Sequence, residues 1–155
     1  MSTPSIQIAD ALVTYLTAQD SSWSVSRKNV PLVKKEEVPN TGFIIQVTPV
    51  SFEMPEGEQA RNVFTERYTT IIACYRKALG QSNQDQALED LDNVRVALSS
   101  EAGTNLTLSG GSEYSFARLQ LPMVNDPVYD IDRMKDEHIF QSVITLNHIL
   151  LRNRS

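Results

Sequence analysis

Fourteen residues near the C-terminal end, His138 to Leu151 (HIFQSVITLNHILL), run without a glycine or a proline. One alternating set is His138, Phe140, Ser142, Ile144, Leu146, His148 and Leu150. The other is Ile139, Gln141, Val143, Thr145, Asn147, Ile149 and Leu151. Both sets hold large apolar groups, so both faces are expected to be at least partly covered. Enrichment in β-branched and aromatic residues argues strand over helix. Val63 to Lys77 (VFTERYTTIIACYRK) is a second stretch of the same kind. At ~3.3 Å per residue, fourteen strand residues reach roughly 46 Å. A domain of 155 residues has a radius of gyration of roughly 15 Å, hence a diameter near ~40 Å. Each strand thus spans the domain, and any overhang leaves backbone groups that need cover. A neighbouring subunit is the simplest cover.

The rest of the chain supplies the partners for such strands. Thr3-Pro4 reads as a cap followed by proline in the first turn. Ile6, Ala9, Leu12, Val13 and Leu16 then share one face of a helix over about 4–18. Trp23 to Lys28 alternates as a short strand. Val30 to Pro39 carries two prolines, which forbid a central strand, so an irregular or edge segment with one helical turn is expected. Phe43 to Val50 reads as a strand that pairs with 63–77 as an antiparallel hairpin with an extended tip. Ala87, Leu91, Val94 and Leu98 mark a second helix over about 83–100, with Asn83 and Gln86 approximating a capping box. Its Asp85, Glu89, Asp90 and Asp92 read as a solvated face. Asn105–Ser109 and Glu113–Leu121 flank Gly110-Gly111, which suits a two-residue hairpin turn. The lead-in from Pro127 to Glu137 reads as a turn that aims the last strand. The expected fold is one α+β domain, 1–155: a largely antiparallel, mixed sheet of long strands packed against two amphipathic helices.

Composition narrows the function classes. A net charge of −5 argues against a broad nucleic-acid or anionic-membrane surface. Cys74 is the single cysteine and sits in an apolar strand pattern, which reads as a small buried hydrophobe. The N-terminus has neither a basic n-region nor an apolar h-region, so no signal peptide is expected. No apolar run approaches the ~20 residues of a membrane span.

No motif marks a catalytic centre. His138 and His148 lie too far apart on one strand to share a metal, and no HxH, HExxH or CxxC spacing occurs. Asp130-Ile131-Asp132 is better explained by a turn or helix cap than by paired carboxylates. Asp90 and Asp92 are two apart on a helix and do not face each other. Ser109-Gly110-Gly111-Ser112 lacks the lysine of a phosphate loop. The expectation is therefore no enzyme, no cofactor and no metal. The polar loop 51–62 is the candidate contact surface, with Phe52, Glu53, Met54, Glu56, Glu58 and Arg61. It is either a solvated loop or an acidic tip that lines a channel or docks on a neighbour. An acidic wall repels DNA phosphates, so a passing duplex slides along it.

The order of elements, IADALVTYL, FIIQVTPV to VFTERYTTIIACYRK, QALEDLDNVRVAL and PVYDIDRMKDEHIFQSVITLNHI, resembles the tail terminator, tail completion and neck group of tailed bacteriophage proteins. The likeness covers nearly the whole chain in layout and rests on no signature residues; the irregular 30–39 stretch matches it least. It implies a small α+β subunit of a homo-oligomeric ring, usually a hexamer, at the head-proximal end of a tail. Such a ring caps the tail tube and joins it to a neck or head-completion protein. DNA passes through it without specific binding, and it has no membrane partner. The implied location is the virion, after synthesis in the host cytoplasm. Three other readings stand beside it: a head-completion or stopper protein, a contractile injection system component, and a small cytosolic enzyme or ligand-binding domain.

Overall fold

The computed structural model describes residues 3–30, 33–39, 41–54, 59–60, 63–110 and 113–153, with the backbone alone at 35, 59 and 60. Helix α1 spans Pro4–Gln19 and ends at Asp20, whose extended backbone turns the chain into β1 (Trp23–Arg27). A 3₁₀ turn follows at Lys35–Glu37, then β2 (Phe43–Glu53), the two-residue β3 (Gln59–Ala60) and β4 (Val63–Lys77). Helix α2 (Gln81–Ser99) and the single-turn α3 (Glu101–Thr104) lead to β5 (Asn105–Thr107) and β6 (Phe116–Val124). The chain closes with α4 (Ile131–Glu137) and β7 (Ile139–Asn153).

The strands form one mixed sheet in the order β1-β2-β4-β7-β6-β5, with β3 paired to β4 at the hairpin tip. Only β1 and β2 run parallel; the other pairs are antiparallel. This is the α+β class expected from the sequence. Its spine is the β4–β7 ladder, fifteen consecutive pairs from Val63↔Asn153 to Lys77↔Ile139. The long strands therefore cover each other, and the backbone cover expected of a neighbouring subunit is supplied on that side within the chain. Where β6 no longer flanks β7, Asn125 Nδ2 donates to Val143 O at 2.9 Å and Asp130 N donates to Gln141 O at 2.9 Å.

Register assigns the faces. One face of the spine holds Tyr68, Ile72 and Cys74 of β4 against His148, Ile144 and Ser142 of β7. Ile8, Leu12 and Leu16 of α1, and Leu91, Val94 and Leu98 of α2, pack onto it with Phe43, Ile45 and Val47 of β2. Each fully buried side chain of this size contributes roughly 1.5–3 kcal/mol. Cys74 is fully buried here, and desolvation raises its thiol pKa far above the usual range, as expected for a small core residue. On the opposite face, Val33 and Val38 close over Ala73, Tyr75 and Ile139. They cover only one end of it.

Several local expectations are corrected by packing. Strand β2 runs to Glu53, not Val50, so residues 51–53 belong to the sheet and not to a loop. A bulge at Val50 makes this possible, because Pro49 faces Thr70 and Ser51 faces Thr69. Without that extra residue the pairing would slip by one, and Glu53 would lie opposite Glu66 on the buried face. With it, Glu53 faces Arg67 and Phe52 faces Tyr68. Helix α2 starts at Gln81 behind Gly80, and no side chain caps it. Asn83 therefore lies inside the first turn and makes no capping box.

The β5–β6 connection is longer than a two-residue turn, since Thr107 pairs with Phe116 and Leu108 N donates to Ser115 O at 2.7 Å. Gly110 serves close approach: a Cβ there would come within 2.3 Å of the Tyr114 ring. Gly111 lies outside the described residues. The charged lead-in is a helix, α4, with Asp130 accepting from Arg133 N at 3.0 Å as its cap. His138 is the left-handed residue that ends it (φ 57°) and is not part of the strand.

Candidate contact surfaces

The hairpin tip is the first candidate. Phe52 is half exposed, yet its ring centroid lies 5.3 Å from that of Tyr68, which anchors the end of β2 to β4. Arg67 Nη1 donates to Glu53 Oε2 at 3.1 Å. The pair is largely open to water and so contributes little to stability. Met54 is exposed beside them. The structure thus brings Phe52, Glu53 and Met54 to one end of the sheet, while Glu56, Glu58 and Arg61 lie outside the described residues. Beyond Val47, β2 has no strand on its outer side among the described residues.

The second surface is the half of the sheet that Val33 and Val38 leave uncovered. It presents Arg67, Thr69 and Ile71 of β4, Thr145, Asn147, Ile149 and Leu151 of β7, and Phe116, Arg118 and Gln120 of β6. All of these are partly or fully exposed, whereas their neighbours one residue along face the helices and are buried. Thr69 Oγ1 donates to Asn147 Oδ1 at 2.6 Å across the strands. Among the described residues the face has two arginines, Arg67 and Arg118, against one carboxylate, Glu53.

The third surface is the outer side of α2. Asp85, Glu89, Asp92 and Val96 are all exposed and fall at i, i+4, i+7 and i+11, which is one stripe along a helix. Asp90 does not join them. It turns inward and accepts from Arg76 Nη1 at 2.9 Å. Burial raises its pKa, with Arg76 opposing that shift. The sequence reading of Asp90 as a solvated residue is corrected, because its position on α2 lies over the end of β4.

Two polar clusters hold these surfaces in place. At the tip end, Tyr68 Oη donates to Glu66 Oε1 at 3.1 Å, and Arg152 Nε lies 3.0 Å from the same oxygen. Arg152 also stacks 5.3 Å from the Tyr114 ring centroid, and Gln7 Nε2 donates to Tyr114 Oη at 3.1 Å. Burial beside Glu66 raises the Tyr68 pKa. At the other end, Arg133 donates to Glu137, Gln141 and the Val33 carbonyl and lies 5.8 Å from the Tyr75 ring centroid. That single side chain fastens the 33–38 segment to α4 and β7. Sequence periodicity shows neither cluster, because their members come from three or four separate elements.

The two histidines have unrelated surroundings. His148 is fully buried in the core, with neither ring nitrogen hydrogen-bonded, and desolvation lowers its pKa to about 4. Asp126, Asp130 and Asp132 border a cleft of about 450 Å³ with Val124, Pro127 and Ile131. Asp130 is already engaged as the cap of α4. Among the described residues, no group of three or more His, Cys, Asp or Glu side chains is placed to hold a metal ion. No helix among them is long and apolar enough to cross a membrane.

No family model matches this chain, and no curated protein matches it. Among solved structures, one protein without a functional name is 17% identical over 97% of this chain and 96% of that one, with a TM-score of 0.49. A chain from the virion of a native gene transfer agent (GTA) particle is 12% identical over 97% of this chain and 95% of that one, with a TM-score of 0.46.

Proposed function

We propose that this chain is the subunit of a structural ring at the head-proximal end of a phage-like tail. There it caps the tail tube and joins it to the neck around the DNA channel. The observation that supports this reading best is the order and reach of the elements. An N-terminal helix, a long hairpin, a second helix, and a helical lead-in to a strand that spans the sheet follow one another as in the group the sequence resembles.

The surfaces agree with a subunit that works by contact. A ring needs two different, complementary sides on each copy, because head-to-tail contacts close where identical contacts only dimerise. This chain has a helix layer on one side of its sheet and a half-open face on the other. Phe52, Glu53 and Met54, at the hairpin end of the sheet, serve as a contact toward a neighbour or the channel. In this reading the chain uses no cofactor and catalyses nothing, and its partners are further copies of itself, the tube protein and a neck protein.

Electron microscopy tests this directly. Purified protein imaged on grids should show discrete rings with a central hole, and particles carrying the chain should show it between tube and head. A ring seated on the head portal and not on the tube would shift the assignment to a stopper. A monomer that turns over or retains a small molecule would sink it.

A further inference from the structure

The two layers of the domain end in outer surfaces of opposite character. On one side lies the α2 stripe: Asp85, Glu89 and Asp92 are exposed, with Arg95 the only cation beside them among the described residues, 3.6 Å from Asp92. Exposed Val96 closes the stripe. On the other side lies the open half of the sheet. Among the described residues it carries Arg118 and the Arg67–Glu53 pair, and its floor mixes Thr69, Thr145, Asn147 and Gln120 with apolar side chains. Phe116 and Leu151, both more than half exposed, follow directly on the Ala117↔Leu150 pair, with Ile149 beside them.

We propose that the α2 stripe of one copy docks on the open sheet face of the next. A second copy fits as the occupant because both complementary surfaces lie on this one chain. An acidic helix stripe tipped by exposed Val96 matches a sheet face that offers Arg118 beside exposed Phe116 and Leu151. Since α2 packs on the far side of the sheet, the two surfaces lie on opposite sides of the subunit. They therefore cannot meet in a symmetric dimer; they meet only head to tail, the arrangement that closes rings or extends stacks. Sheet strand ends are not the better contact. Pro122 interrupts the outer strand β6, and Pro49 and the Val50 bulge interrupt β2, the usual devices that blunt an edge.

This contact deepens the ring reading and can be tested apart from it. One variant combines Glu89→Lys with Asp92→Lys, both exposed on the helix. The other is Arg118→Glu, exposed on β6. Association of full-length protein is followed by analytical ultracentrifugation at low and high salt. Wild-type chains should associate, and more weakly as salt rises. Each variant alone should lose at least ~tenfold in association. An equimolar mixture should regain it, because each variant then offers the sign that the other lacks on both sides.

Wild-type protein that stays monomeric at every salt concentration overturns the contact. So do assemblies indifferent to both reversals, or variants that the mixture fails to rescue. Circular dichroism of each variant guards against misfolding as the cause of a loss. Virus particles found to lack the chain would sink the tail reading and leave this contact standing, so the two failures are distinguishable.

Discussion

Asp90 on α2 and Arg76 on β4 form a salt bridge of 2.9 Å, with side-chain exposures of 11% and 17%. Gln86, one turn earlier on the helix, also reaches the carboxylate, at 3.5 Å. This contact fixes the N-terminal half of α2 over the end of the sheet. Removing Arg76 strands a largely buried carboxylate, so Arg76→Met should destabilise the fold by about 3 kcal/mol. The double variant Arg76→Met with Asp90→Leu should lose less than Arg76→Met alone, since no charge is then left unpaired. Urea denaturation of the three proteins checks this, and a double variant worse than the single would refute it.

Acid sensitivity should come from His148. Its folded pKa, about 4, lies below the ordinary histidine value of 6.5, and the cause is burial alone. The unfolded chain therefore binds more protons than the folded one between these values. Stability is full above about pH 6.5 and is lost as pH falls toward 4. The amount at stake is about 3 kcal/mol. Tyr68 faces His148 across the strands, with Glu66 and Arg152 near it on the same face of the sheet. His148→Leu should flatten the stability profile between pH 4 and 6.5. Retention of the full wild-type slope in that variant would assign the effect to carboxylates instead.

Gly110 is required by the ring of Tyr114. A methyl group at 110 collides with that ring and with the Tyr114 carbonyl oxygen, 2.4 Å away. Gly110→Ala should cost about 1–3 kcal/mol. It should also free Tyr114 from Gln7 and Arg152, which it now joins. Tyr114→Phe, which keeps the ring and loses only the Gln7 hydrogen bond, should cost about 1 kcal/mol. Thermal melts of both variants rank the two effects, and equal losses would contradict the steric account.

The hairpin tip should tolerate charge reversal as far as folding is concerned. Glu53→Lys breaks an exposed ion pair with Arg67, and the change in stability should stay within about 1 kcal/mol. Combining it with Glu56→Lys and Glu58→Lys should reduce ring assembly or DNA passage. Infection assays with the triple variant decide the matter, and unchanged infectivity would show that the tip's charge is incidental.

Helix α1, the second helix, the β2–β4 hairpin and the terminal strand were all legible in the sequence. Each carries its own apolar pattern, helical or strand-like, over eight or more residues. The 30–39 segment was legible only as an interruption, and its 3₁₀ turn sits at Lys35–Glu37. The hairpin tip was visible as polar residues between strands, but its boundary was not, because the Val50 bulge lets β2 continue past Pro49. Helix α4 was hidden among the charges of the lead-in. At seven residues it is too short for an apolar stripe, and only the Asp130 cap hinted at it. The open sheet face was not legible at all, since alternation shows that a strand has two faces and not which of them is covered.

By itself the sequence determined the class and the reach of the elements. Alternating apolar residues over 63–77 and 138–151 demand long strands, and the two apolar stripes demand helices to cover one face. Tertiary structure alone decided which charges are buried and which faces stay open. Asp90 and Glu89 are adjacent in the chain and chemically alike, yet one is salt-bridged in the interior and the other exposed. The 100° step between neighbours on a helix separates them, and the position of β4 beneath that helix gives the step its meaning. His148 is buried and His138 caps a helix for the same kind of reason. Burial depends on what lies across the sheet, and the sheet order that settles it joins residues far apart in the chain.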